Sequence, residues 1–143
     1  MTFRAVSCVA CVVVLQACVV RSTNDPSSEK VELAIEGTGV PLTDRAKDGL
    51  FTLTLVNSPR SYAVADVSID AELPGESGNA LNFTHEDVNG NGLVDGGDKL
   101  HCTEPPVNLY DQGLVGKTLT VNFAVKENGT YFQRGSTSWV VGK

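Results

Sequence analysis

The sequence predicts an all-β fold in which antiparallel strands pack as a sandwich. Three observations carry this. After Val31, apolar and polar residues alternate at period two through most of the chain, the spacing of half-buried strands. Clusters of Gly, Pro, Asn and Asp interrupt the alternation every ~8–12 residues, the rhythm of an all-β domain. No segment carries sustained helical spacing; a short helical turn near Leu42–Asp48 is the only candidate. At 143 residues and 41% hydrophobic, the chain suits one domain with one core. Aromatics make up 6%, so Val, Leu, Ile and Ala must fill most of that core.

The N-terminus comes first. Met1 to Arg4 is short and basic, and Ala5 to Ala17 is apolar apart from Ser7 and Gln16. Extended to Val20, the run is still shorter than the ~20 residues that span a bilayer. It therefore reads as a signal peptide. Its end, Leu15-Gln16-Ala17-Cys18, resembles the lipobox of bacterial lipoproteins. The resemblance implies cleavage before Cys18, residues 1–17 as the leader, and acylation of Cys18, which anchors the chain to one membrane leaflet. Val19 rather than Asp follows the cysteine; in Gram-negative lipoproteins this implies transfer to the outer membrane. Residues 18–30 form the lipidated terminus and a polar tether, with Arg21–Lys30 (RSTNDPSSEK) lacking any hydrophobic period.

The domain proper is residues 31–143. Val31, Leu33 and Ile35 alternate with Glu32, Ala34 and Glu36 as a first strand. Gly37–Gly49 is loop. Leu50–Asn57 (LFTLTLVN) sets Phe51, Leu53 and Leu55 on one face. Tyr62–Leu73 predicts a long strand that bends once, with Val67, Ile69 and Ala71 opposite Asp66, Asp70 and Glu72. Leu81, Phe83 and His85 continue the pattern into a polar loop. Lys99–Thr103 is short and stops before Pro105-Pro106. Thr118–Glu127 aligns Leu119, Val121, Phe123 and Val125. Asn128-Gly129 predicts a two-residue hairpin, Thr130–Gln133 returns, Arg134-Gly135 turns again, and Ser136–Val141 closes the domain. Seven or eight such strands favour an immunoglobulin-like Greek key, with a small β-barrel as the alternative.

The loop between Glu86 and Lys99 carries the most specific chemistry. Counting from Asp87, oxygen-bearing side chains fall at one (Asp87), three (Asn89), five (Asn91), nine (Asp95) and twelve (Asp98). Gly92 occupies six, Leu93 offers a carbonyl at seven, and Val94 is an apolar peg at eight. This is the donor order of an EF-hand loop for calcium, a hard cation that collects oxygens. It resembles the dockerin type, which ends in Asp. Carried over, Asp87, Asn89, Asn91, Asp95 and Asp98 are side-chain ligands and Leu93 a carbonyl ligand. Aspartate at twelve is shorter than the usual glutamate, which points to roughly 0.1–1 mM affinity or somewhat tighter. Glu86, Asp87, Asp95 and Asp98 have no Lys or Arg among them; a divalent ion removes their mutual repulsion. Neither flank has helical spacing, so strand–loop–strand is expected. A plain polar turn explains the two Asn-Gly pairs but not the acids at one, nine and twelve.

Net charge is −6, which disfavours nucleic acid. Cys8 and Cys11 lie in the leader and Cys18 carries the lipid, which leaves Cys102 as a lone, buried thiol. His101 and Cys102 are adjacent on a strand and face opposite ways, against thiol or zinc chemistry there. No G-x-S-x-G surrounds a serine, and no carboxylate pair stands out. Tyr131 and Trp139 read as core or rim of the last hairpin. The expectation is a non-enzymatic, calcium-stabilised envelope lipoprotein, anchored to the membrane through Cys18, that binds a protein or glycan or serves a structural role. A small envelope enzyme or inhibitor, and an assembly subunit pairing through an edge strand, are the rival classes.

Overall fold

The computed structural model describes residues 29–45, 47–76, 78–104 and 108–142. The leader 1–17, Cys18, the tether up to residue 28 and Pro105-Pro106 lie outside the described residues. Nine strands follow in order: β1 (Glu32–Gly37), β2 (Gly49–Asn57), β3 (Tyr62–Ala63), β4 (Val67–Glu72), β5 (Asn79–Glu86), β6 (Leu93–Val94), β7 (Lys99–Thr103), β8 (Thr118–Glu127) and β9 (Thr130–Val140). The fold is all-β; among the described residues the only helical element is a 3-10 turn at Val64–Asp66.

Seven strands form one sheet in the order β1-β2-β7-β5-β4-β8-β9. Every joint along that order is antiparallel. With an odd number of strands, the first and last must then run in the same direction. They meet where the N–H of Val31 donates to the carbonyl of Arg134 at 2.8 Å, so the sheet curls until it is nearly closed. At its upper end β2, β5 and β8 finish and β1, β4, β7 and β9 begin. The chain enters there, and the β5–β7 loop and the β8–β9 hairpin lie there too. At the lower end β1 and β7 finish and β2 and β8 begin, so the described residues between β1 and β2 and between β7 and β8 lie there.

Alternation explains the core. Phe51, Leu53 and Leu55 of β2 are fully buried, as are Ile69 of β4, Leu100 of β7, and Val121 and Phe123 of β8. Burying each such side chain stabilises the fold by roughly 1.5–3 kcal/mol before entropy is counted. Phe51 packs on Trp139 with centroids 4.9 Å apart, and Tyr62 on Phe123 at 5.9 Å, both tilted.

Three expectations change. The predicted Tyr62–Leu73 strand is divided by the 3-10 turn, where the Val67 N–H donates to the Val64 carbonyl. The candidate helical turn near Leu42–Asp48 is loop in its described residues. Asp48 there accepts from the Thr43 N–H at 2.6 Å and hydroxyl at 2.8 Å, a side-chain bond that competes with helix. The predicted turn at Arg134-Gly135 is instead a bulge inside one continuous β9. Phe123 pairs with Gly135 and Ala124 with Gln133, leaving Arg134 as the extra residue. Its side chain is 3% exposed and bonds Glu127, with Glu29 at 3.6 Å. Gly135 belongs to the same junction: a Cβ there would lie 2.5 Å from the Val31 carbonyl.

Candidate metal centre

Strands β5 and β7 pair directly, Thr84 opposite His101 and Glu86 opposite Lys99, so the loop 87–98 is the tip of a hairpin. Both flanks are strand, as the absence of helical spacing requires. Within the tip, β6 pairs with β3, Val94 opposite Tyr62 and Leu93 opposite Ala63. Val94 is fully buried, so the apolar peg at position eight does enter the core.

The oxygen side chains are folded onto the loop's own backbone. Asp87 accepts N–H bonds from Gly90 at 2.7 Å, Asn91 at 3.3 Å and Gly92 at 2.6 Å. Asn89 Oδ1 accepts from the Asn91 N–H at 3.0 Å, and Asn91 Oδ1 from the Leu93 N–H at 2.7 Å. These tight returns need Gly92 at a φ of 78°, a conformation costly for a side chain. Asp95 joins the same group: Asn89 Nδ2 donates to its Oδ1 at 2.8 Å and Asn91 Nδ2 to its Oδ2 at 2.6 Å. Asp87, Asn89, Asn91 and Asp95 are thus brought together.

Asp98 has a different setting. It is fully buried. Its Oδ1 accepts from the Val88 N–H at 2.9 Å; its Oδ2 accepts from the Asp95 N–H at 3.1 Å and lies 3.0 Å from His85 Nε2. It braces both limbs of the loop from the interior. Leu93 is partly exposed and is fixed by its pairing with Ala63.

Electrostatics follow the donors. The Gly92 N–H above all, with those of Gly90 and Asn91, holds the Asp87 carboxyl below its ordinary value. Burial pushes Asp98 upward, but His85 and the N–H groups of Val88 and Asp95 outweigh it and leave Asp98 lowered. Among the described residues no three His, Cys, Asp or Glu side chains gather as a metal cage. The donors of the loop are instead half amide and backbone oxygen, which suit a hard cation.

Two partners of the loop were not legible as such. Ser61, from the β2–β3 connection, donates to Asp95 Oδ2 at 3.0 Å; it lies 34 positions away in sequence and nothing local marks it. His85 precedes the loop, and its place on the inward face of β5 was the available signal.

The remaining chemistry is dispersed. Thr52 Oγ1 lies 3.0 Å from His101 Nδ1, and His101 Nε2 lies 2.7 Å from Glu86 Oε2. The three residues sit on neighbouring strands β2, β7 and β5, as a polar ladder across the sheet's outer face. Cys102 is buried, opposite in facing to His101, and its thiol is pushed up to about 12 by burial. Tyr131 is exposed and Trp139 buried, so they form no common patch. No described helix is long and apolar enough to cross a membrane. No protein-family profile, curated protein or solved structure matches the chain.

Proposed function

We propose that the chain is a calcium-binding envelope lipoprotein, a non-enzymatic binding or structural module whose 87–98 loop is ordered by the ion. The observation that carries this is the gathering of Asp87, Asn89, Asn91 and Asp95 around the turn at Gly92. Those side chains, with the Leu93 carbonyl, hold the cation, and Asp98 closes the set from the buried side. Calcium supplies positive charge that offsets the clustered carboxylates and cross-links the two limbs of the hairpin. The chain's own part is to preorganise the donors: Val94 pins the tip, and Ser61 and His85 orient Asp95 and Asp98.

The strand order supports an immunoglobulin-like reading of the nearly closed sheet. Strands β1, β2, β7 and β5 stand where A, B, E and D stand in a constant-type domain, and β4, β8 and β9 where C, F and G stand. In that reading the calcium loop is the D–E connection. Acylation at Cys18 anchors the domain at the envelope, on the outer membrane of a Gram-negative cell, where it meets a protein or glycan.

Titration calorimetry with calcium tests the metal reading. A binding heat that Asp87→Ala abolishes supports it; no heat up to several millimolar calcium overturns it. Radiolabelled palmitate incorporation, lost in Cys18→Ser, tests the anchor.

A further inference from the structure

We propose that the upper end of the nearly closed sheet docks on an anionic lipid surface in a calcium-dependent way, through Val88 and Leu93 of the loop and Val64 beside it. This rests on the lipoprotein and calcium reading above and adds to it the surface that faces the bilayer.

The first argument is position. Strand β1 begins at the upper end, so the chain enters the domain beside the calcium loop. Twelve residues separate Cys18 from Val31. Even fully extended, twelve residues reach no more than roughly 40 Å. The proposed anchor at Cys18 therefore keeps this end near the membrane at a raised effective concentration. At that concentration a weak surface is enough, and a protein partner would have to enter the gap.

The second argument is what that end exposes. Val88 is 60% exposed and Leu93 39%, at positions two and seven of the loop. Val64 stands next to Ala63, the pairing partner of Leu93. Lys126 lies 5.9 Å from the ring of exposed Tyr131 on the neighbouring hairpin, a pairing suited to the headgroup layer. Val40, Tyr110 and Val115 are exposed at the lower end, but the entry point of the chain selects the upper one.

The third argument is charge. Without a cation, Glu86, Asp87 and Asp95 repel anionic headgroups. Calcium removes that repulsion. The five side chains and the Leu93 carbonyl give six oxygens at one each, and the ion takes up to eight, so a place remains for a phosphate oxygen of a lipid.

The test uses the full acylated chain in vesicles of phosphatidylethanolamine and phosphatidylglycerol. A polarity-sensitive dye is placed at Val88→Cys, at Val64→Cys, or at Val115→Cys as the lower-end control. Cys102 is buried and stays unlabelled in the folded protein. With calcium, the dye at 88 and 64 is expected to shift to the blue and to be quenched by brominated lipid several-fold more than at 115. Chelator should reverse this. Equal quenching at the two ends, or quenching at 88 and 64 that survives chelator, overturns the proposal. Palmitate incorporation and calcium binding heat are measured on the unlabelled and the labelled proteins. Absence of either in the unlabelled protein defeats the underlying reading and this inference with it. An aqueous dye at 88 and 64 with both intact defeats this inference alone.

Discussion

The carboxylate of Asp98 lies 3.0 Å from the imidazole Nε2 of His85, with the acid fully buried. The pair joins the last residue of the 87–98 loop to the inner face of the strand that leads into it. Asp98 therefore serves the folded domain whether or not an ion is present. Asp98→Ala leaves the N–H groups of Val88 and Asp95 without their acceptor. A loss of about 3 kcal/mol is expected in chelator, and a larger one in calcium, where the variant also loses a ligand to the ion. Urea unfolding in both buffers checks it, and a loss confined to the calcium buffer would show that Asp98 acts through the ion only.

Asp87 separates from Asp98 in this respect. Its carboxylate organises the turn at the exposed tip. Calcium at a hundredfold above its dissociation constant should add about 2.7 kcal/mol to wild-type stability, seen as a higher Tm. Asp87→Ala should remove most of that increment, and in chelator it should cost only the smaller loss that comes from the turn N–H groups left without their acceptor. Scanning calorimetry with and without calcium decides between the two behaviours.

Acidity should act on the domain with two opposite signs. Asp87 and Asp98 titrate below their ordinary value of 3.8. They contribute stability above that value and lose it as pH falls through their lowered folded values. Glu104 is fully buried, with Oε1 accepting from the Leu109 N–H at 2.6 Å and Oε2 unpartnered. Burial raises its carboxyl above 4.5. Its contribution is present below 4.5 and is lost as pH rises through the raised value. Glu104→Gln keeps the acceptor for Leu109 and removes the charge. It should gain on the order of 1 kcal/mol at neutral pH and little near pH 4. Chemical denaturation at the two pH values measures the difference.

The junction of β1 and β9 should tolerate no added carbon. Gly135→Ala places a Cβ 2.5 Å from the Val31 carbonyl and must push the first strand away from the last. A loss of about 1–3 kcal/mol is expected. Thermal melts compared with Gly116→Ala, where nothing lies within 4 Å of the new carbon, separate this crowding from backbone strain.

Much of this arrangement was legible in the chain because period-two patterning reports which face is buried. Lys99–Thr103 and Thr118–Glu127 match β7 and β8 to the residue, and Asn128-Gly129 forms the predicted turn with both residues at positive φ. Arg134-Gly135 misled for a physical reason. Arginine beside glycine marks a turn when nothing pairs with the charge. Here Glu127 and Glu29 accept it, so the residue can be buried in a bulge. In the loop, the spacing picked out Asp87, Asn89, Asn91 and Asp95, side chains that the structure brings together by hydrogen bonds around Gly92. That Asp98 would brace Val88, Asp95 and His85 was hidden, because spacing is blind to which backbone N–H groups a carboxylate meets. Ser61 was hidden for the same reason.

The parallel approach of β1 and β9 has a mechanical meaning. A pull on the end where the chain enters β1 and an opposite pull on the end of β9 would run along both strands at once. The Val31–Arg134 bond and the Glu29 ion pairs with Arg60 and Arg134 would then be loaded together in shear, not peeled apart one after another. A domain strung between a membrane and a grip on its other end would resist tension best along that line.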